Sequence, residues 1–200
     1  MKWNGSLCLK SIRKSTSMQN KKKGAIGLTV VVFGALFLIA GYFFMVVMPL
    51  KLIQMNKMTS TLDNATASAV TLIDEDLIRT DGKVEILTDE ATHAVYAIIA
   101  EAYDLELNGN DLKFKPNQKS EFSELPYVQI KVVNVNEQAG EVKVVTMTES
   151  DGTTDNVTVD ASSIIVHVDM KFKPTILAFD KGMELSRTAA SEVRLGTTND

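Results

Sequence analysis

The stretch from Lys21 to Lys51 constrains the fold most, because it is long enough and apolar enough to cross a membrane. Residues 24–50 hold no charged side chain. A helix over those residues is about 40 Å long, whereas the hydrocarbon core of a bilayer is about 30 Å thick. A cleaved secretory signal has a shorter apolar core and a small-residue exit, which is missing here. We therefore predict a transmembrane helix at residues 24–50 that stays attached as an anchor.

Charge on the two sides of this helix is opposite in sign. Residues 1–23 carry seven Lys and Arg and no acid, whereas residues 51–200 carry the other 14 and all 25 Asp and Glu, a net of 14 − 25 = −11. Positive flanks stay in the cytoplasm, so we expect residues 1–23 to be a cytoplasmic tail or leader and the remainder to lie outside. The position of the basic segment is explained by topology and anionic headgroups. The acidic part argues against nucleic acid as a partner.

The single cysteine gives no disulfide framework to the part outside the membrane. Cys8 lies in the basic segment, and residues 51–200 contain no cysteine. Those residues suffice for one small domain, which a hydrophobic core must hold together.

Three glycines recur every seven residues in the apolar run. Gly27, Gly34 and Gly41 share one face of a helix, since seven residues make nearly two turns. A face without side chains allows another helix to approach closely, which makes these glycines a candidate packing face. The alternative is that glycine is simply frequent in membrane helices.

Two other residues stand out in this helix. The hydroxyl of Thr29 can bond back to the preceding turn, so it needs no functional role. Pro49 lacks an amide donor and its ring clashes with the carbonyl of Met45, so we expect a bend near the outer membrane surface.

The helical pattern continues past the apolar run. Apolar and small residues at 3-4-3-4-3 spacing form one seam, which we expect to pack on a sheet: Met55, Met58, Leu62, Ala65, Ala69 and Leu72. We therefore predict an amphipathic extension over residues 51–80, ended by Asp81 and Gly82.

Residues 81–200 predict an α+β domain. A short strand is expected at Lys83–Leu87 and a second helix at Asp89–Tyr103, capped by Thr88 or Asp89. A turn is expected at Asn108-Gly109.

From Tyr127 onward the apolar period is two, which predicts antiparallel strands with hairpin loops at Asn136–Gly140 and Glu149–Asp155. The clearest strand places Ile164, Val166, Val168, Met170 and Phe172 on one face. The alternating residues, among them Ile165, His167 and Asp169, are expected on a solvent-facing polar face, and an edge strand is expected near Met183–Leu195. We predict a sheet covered on one side by the long helix.

Catalytic and metal patterns are weak. Glu90 and His93 have the spacing of a metal pair on a helix, but no second copy supplies further ligands. The aspartates near Ser150 do not match a calcium loop, so turn chemistry is the simpler explanation. We expect no enzyme, no cofactor and no metal site.

The segment Lys21–Thr29 resembles the N-terminus of type IV pilin-like subunits. In that family a basic leader ends in glycine, and a membrane peptidase cuts after it. The resemblance implies a cut between Gly24 and Ala25. It also places Thr29 where the family usually carries a glutamate, which is thought to pair with the neighbouring subunit's new amino terminus. The departure implies a minor or tip-like subunit, or a pilin-like protein that does not polymerise.

A second resemblance lies at the other end of the chain. The segment Val166–Leu195 resembles the closing part of TadE-like minor pilins of tight-adherence (Flp-type) pili, and Asp63–Ala67 is similar to their Asn- and Ala-rich segment outside the membrane. The resemblance implies a bacterial cytoplasmic-membrane protein whose partners are the bilayer and other pilin-like subunits or an assembly platform. The alternatives are a non-polymerising surface protein with a binding ectodomain and, with little support, an anchored enzyme.

Overall fold

The computed structural model describes residues 27–116, 122–135, 140–173 and 182–193. The chain divides into two compact units, Met1–Leu50 and Lys51–Asp200. Helices and antiparallel strands follow one another in the second unit, which confirms the predicted mixed α+β class.

The first helix, α1, runs from Gly27 to Ala69 and is long and apolar enough to cross a membrane. Its most apolar stretch is not buried inside the protein. Phe43–Val47 form a π turn, in which the N–H of Met48 donates to the carbonyl of Phe43 five residues back. The turn immediately precedes Pro49, whose ring clashes with a carbonyl four residues back in a regular α-helix. The structure thus shows a widened helical turn before Pro49, and the bend expected there stays a prediction.

The helix ends at Ala69, so the predicted extension to residue 80 is wrong. Val70 and Thr71 are β-branched, and the N–H of Leu72 donates to the carbonyl of Ala69 in a tight turn. Asp74 then begins a separate helix, because its carboxylate accepts hydrogen bonds from the N–H groups of Asp76 and Leu77. A strong N-cap ends any continuous helix that precedes it.

Two shorter helices follow. Helix α2 spans Glu75–Asp81 and ends at Gly82, whose left-handed conformation (φ 64°) makes it the expected stop, although of this separate helix. Helix α3 spans Thr88–Ala102, close to the prediction. Its N-cap is Leu87, which makes no side-chain capping bond, so the expected caps at Thr88 and Asp89 are wrong.

The central sheet has three antiparallel strands in the order β3-β6-β7. These strands are β3 (Tyr127–Val133), β6 (Ser163–Phe172) and β7 (Met183–Glu192). Strand β7 lies at the edge of the sheet, as the sequence predicts.

Two separate hairpins complete the strands. One joins β1 (Leu105–Asn108) to β2 (Asp111–Phe114) and turns at Gly109, whose positive φ of 65° suits a tight turn. The other joins β4 (Lys143–Thr148) to β5 (Thr154–Val159).

One strand prediction is wrong. The segment Lys83–Leu87 contributes only an isolated bridge between Ile73 and Ile86. Strand β3 pairs with β6. The hairpin loop expected at Asn136–Gly140 falls on residues 136–139, which lie outside the described residues. The side-chain amide of Asn134 explains the missing strand in part, because it donates to the carbonyl of Ile86 and accepts from its N–H.

The main core lies between the helices and one face of the central sheet. Helix α1 supplies Met58, Leu62, Ala65 and Ala69, all of which are inaccessible to solvent. Helix α3 adds Ala91, Val95 and Ile99, and β6 adds alternate residues from Ile164 to Phe172. This is the helix-on-sheet packing that the apolar seam predicts.

A second, smaller core lies on the other face of the sheet. Met147 of β4 and Val159 of β5 are buried with Val135 and Ile165. The β4–β5 hairpin therefore covers part of the face that the sequence assigned to solvent. The expectation of a sheet covered on one side only is wrong, because the inward apolar residues of this hairpin also need a surface to pack on.

Candidate functional site

The glycine face of α1 is open. Apart from the backbone of the helix itself and the adjacent residues, no described atom lies within 4 Å of the Cβ position at Gly27, Gly34 or Gly41. The large apolar side chains around them are exposed, among them Phe33 and Phe37. The three positions therefore form a shallow face that has room for a close neighbour.

The residues of the resemblance at the amino end are only partly described. Thr29 lies in the first turn of α1, with its side chain exposed. Gly24 and Ala25, where the resemblance places a cut, lie outside the described residues.

The predicted seam divides at the end of α1. Met58, Leu62, Ala65 and Ala69 are buried in the main core, and Met55 is half-buried beside them. Leu72 lies beyond the helix, where its carbonyl accepts a hydrogen bond from the N–H of Leu87.

One polar contact also holds the helix to the sheet. The hydroxyl of Ser191 on β7 donates to the hydroxyl of Thr66 at 2.8 Å. Thr66 is almost inaccessible to solvent. This partly buried hydrogen bond adds a directional contact to the apolar packing and so helps to fix the helix along the strand.

An aromatic cluster packs beside α1. The ring of Tyr103 meets Phe122 edge to face at 5.4 Å between centroids, and Phe122 meets Phe172 at 5.9 Å. The ammonium of Lys57 lies 4.9 Å from the centroid of the Tyr103 ring. Burial raises the pKa of the Tyr103 hydroxyl to about 12, and Thr61 lowers it only in part.

A row of polar side chains crosses the outer face of the sheet. The sequence predicts that His167, at the centre of this row, faces solvent, and this prediction is wrong. His167 is only 1% exposed, and its Nδ1 lies 2.9 Å from the hydroxyl of Thr188 on β7. Its Nε2 lies 3.1 Å from Oδ1 of Asp169. The alignment there is poor for a hydrogen bond. The apolar Ile165 on the same face was the available signal that this face is covered.

Side chains of the sheet also hold the β4–β5 hairpin. The N–H of Thr148 donates to Oε1 of Gln129 at 2.7 Å, and the N–H of Ser150 donates to Oδ2 of Asp169 at 2.6 Å. Burial raises the pKa of Asp169, but hydrogen bonds from Ser186 and Ser150, together with the nearby His167 ring, outweigh it and leave the pKa below its ordinary value. Asp169 therefore remains ionised where it accepts these bonds.

A cavity of about 410 Å³ opens beside this contact. Tyr127, Leu125 and Ser186 line it together with five carboxylates and the ammonium of Lys171. The lining carries no arrangement of nucleophile, base and orienting group, so it offers a surface for binding and no evident covalent chemistry.

Metal-binding side chains are not gathered anywhere in the described part of the chain. No group of three or more His, Cys, Asp or Glu residues there is placed to hold an ion. His93 and Glu90 both lie exposed on α3.

Comparison with known proteins identifies no relative. No family model, curated protein or solved structure matches the chain.

Proposed function

We propose that this protein is a membrane-anchored pilin-like subunit, of the TadE-like minor pilin kind, in a bacterial pilus or secretion apparatus. Its role is structural. The observation that carries the proposal is α1, which is apolar and exposed in its first half and buried by one seam against an antiparallel sheet in its second. A helix of this kind both anchors a subunit and presents an apolar surface to other subunits.

The open glycine face supports the assembly part of this proposal. In a bilayer, helices associate through close packing of small residues, because lipid gives apolar side chains no reason to leave it. Gly27, Gly34 and Gly41 leave that face free of side chains. Thr29 in place of the family's glutamate favours a minor subunit over the main polymer.

Processing provides the first test. The full chain is produced with and without an active prepilin peptidase, and its amino terminus in the membrane fraction is determined by mass spectrometry. We expect a new terminus at Ala25 only with the active peptidase, and a Gly24→Asp variant to remain uncut. An intact Met1 terminus in cells with active peptidase contradicts the processing of this subunit.

Lateral association provides the second test. In a Cys8→Ser background, Gly34→Cys places a thiol on the glycine face, and Leu36→Cys places one on the opposite side of the same turn. We expect oxidation of intact membranes to crosslink the Gly34→Cys chain and to leave the Leu36→Cys chain monomeric. If both variants remain uncrosslinked monomers after oxidation, assembly through this face is contradicted.

The cavity beside the hairpin favours one alternative, a surface protein whose ectodomain binds a ligand without assembling. The cavity is lined by Tyr127, Leu125 and several carboxylates. A chain that remains uncut, remains monomeric in the crosslinking test and has no pilus-machinery partners supports this alternative over the pilin-like subunit.

A further inference from the structure

A second, shallower surface of the ectodomain combines three lysines. An open groove of about 680 Å³ is lined by Lys51 of α1 and by Lys171 and Lys173 at the end of β6. Glu124 and Glu184 also line it. The groove therefore has three positive and two negative side chains.

This charge is opposite to that of the rest of the ectodomain. Residues 51–200 carry a net charge of −11, from 14 Lys and Arg and 25 Asp and Glu. The groove has a net charge of +1 from its three lysines and two glutamates. An anion is therefore repelled less at this groove than by the acidic part of residues 51–200 taken as a whole.

One lysine of this groove directly follows the uncharged segment in the sequence. Lys51 directly follows the uncharged residues 24–50, and the next two residues, Leu52 and Ile53, are 61% and 60% exposed. Lys51 is thus covalently held at the end of the apolar segment. In a membrane protein this is the depth at which lipid phosphates lie.

We propose that the groove of Lys51, Lys171 and Lys173 binds the phosphate of anionic phospholipid headgroups in the outer surface of the membrane. The proposal rests on the membrane anchor of the proposed function and not on its pilin-like role. Such contacts hold the ectodomain against the bilayer and make its attachment depend on lipid charge.

The three lysines are accessible to such a ligand. Lys51 and Lys173 are exposed, and the side chain of Lys171 is 44% exposed. Lys171 donates to both carboxylate oxygens of Glu124 at 3.0 and 3.2 Å. An exposed pair of this kind contributes little to stability, so its ammonium can turn toward a phosphate at small cost.

Lipid composition tests the proposal on the full chain. The protein is reconstituted into nanodiscs of phosphatidylcholine alone or of an equal mixture with phosphatidylglycerol. Amide hydrogen exchange is then followed in the peptides covering residues 168–173 and 182–187. A lysine near an anionic surface contributes roughly fivefold in binding, and we expect the exchange there to slow by about that factor in the mixture.

Two triple variants distinguish an effect of the groove lysines from an effect of the overall charge. Lys51→Gln, Lys171→Gln and Lys173→Gln together should remove the difference between the two lipids. Lys83→Gln, Lys113→Gln and Lys131→Gln make the same charge change at exposed positions elsewhere and should keep it. High salt should weaken the difference in the unsubstituted chain, because it screens exposed charges.

Three results overturn the proposal. If disc-bound protein shows equal amide hydrogen exchange in both lipid compositions, the headgroup contact is refuted, whereas the membrane anchor is not. Equal protection produced by inorganic phosphate in phosphatidylcholine discs shows a site for free anions instead. A chain that fails to stay with either disc refutes the anchor itself, and with it the proposed function.

Discussion

Single polar residues decide how the outer face of the sheet is used. His167 and Asp169 read as solvent-facing in an alternating strand, yet His167 is buried and Asp169 accepts the N–H of Ser150. The alternation correctly gave the face of each residue. The alternation did not show that this face is covered, because the covering hairpin is formed by other residues of the chain.

Replacing Asp169 by asparagine should lower stability in a pH-dependent way. The pKa of Asp169 lies below its ordinary value of 3.8, so ionised Asp169 contributes stability above that pH and loses it as the pH falls through the folded pKa. We expect the variant to be less stable by about 1–3 kcal/mol at neutral pH, and the difference to shrink below about pH 4.

Urea unfolding of the full chain in detergent between neutral pH and pH 2 measures this difference. Asp155→Asn, at an exposed position on β5, is the matched control and should track the unsubstituted chain. A difference for Asp169→Asn that is constant with pH would contradict the assigned role of its charge.

The buried hydroxyl of Tyr103 should make the stability of the fold depend on pH in the alkaline range. This hydroxyl is buried and makes no well-aligned hydrogen bond among the described residues, although the Thr61 side chain is close enough to lower its pKa in part. Burial raises this pKa from 10.0 to about 12. The neutral form is favoured in the folded chain, so this stabilisation is complete below pH 10 and is lost as the pH rises toward 12. Tyr103→Phe should lack that loss and should be no less stable at neutral pH.

Thermal unfolding of both chains from pH 8 to pH 12 compares them directly, and the readout is the difference between them, since lysines titrate in both. A Tyr103→Phe variant that is strongly destabilised at neutral pH would mean that the hydroxyl has a partner.

At the scale of elements, sequence reasoning was most successful for α1 and the strands. The seam from Met58 to Ala69 is buried, and the alternation of β6 gives its inner face correctly. The sequence pattern does not show the end of α1, because it does not show that the carboxylate of Asp74 caps a new helix. Alanines such as Ala65 and Ala69 contribute little to the contrast between apolar and polar positions. The periodic pattern therefore does not show where α1 ends.

Truncation within the seam should separate buried from exposed positions on the same helix. Leu62 is inaccessible to solvent and its neighbour Asp63 is exposed. We expect Leu62→Ala to cost about 2–5 kcal/mol, because a cavity remains beneath α1, and Asp63→Ala to change stability by less than about 0.5 kcal/mol. Urea unfolding in detergent measures both, and similar small effects would contradict the packing of α1 on the sheet.

The described part of residues 51–200 has two cores of unequal size. The main core joins α1, α3 and the inner face of the sheet, whereas the second has four buried apolar residues among those described, at the β4–β5 hairpin. The hairpin makes no backbone ladder with the central sheet. Regions with few buried contacts open at lower free energy than the rest of a domain, so we expect the hairpin to open separately.

Met147→Ala should uncouple the hairpin from the sheet. Met147 is fully buried, and its truncation removes much of the second core. We expect faster amide exchange in β4 and β5 with little change in β6 and β7, measured by hydrogen exchange on the full chain. Val144→Ala, at a position 66% exposed on the same strand, is the control. Faster exchange throughout the sheet would show one cooperative unit instead of two.

The sequence alone determined the apolar helix, the buried seam that follows it and the faces of the strands. Each of these follows from a local pattern, since length without charge, a 3.6-residue period and a two-residue period report directly which side chains avoid water. Only the tertiary structure decided that α1 ends at Ala69, that β3 pairs with β6, and that His167 is buried on the outer face of the sheet. These depend on contacts between distant residues, and a local pattern does not specify which surface a buried face will meet.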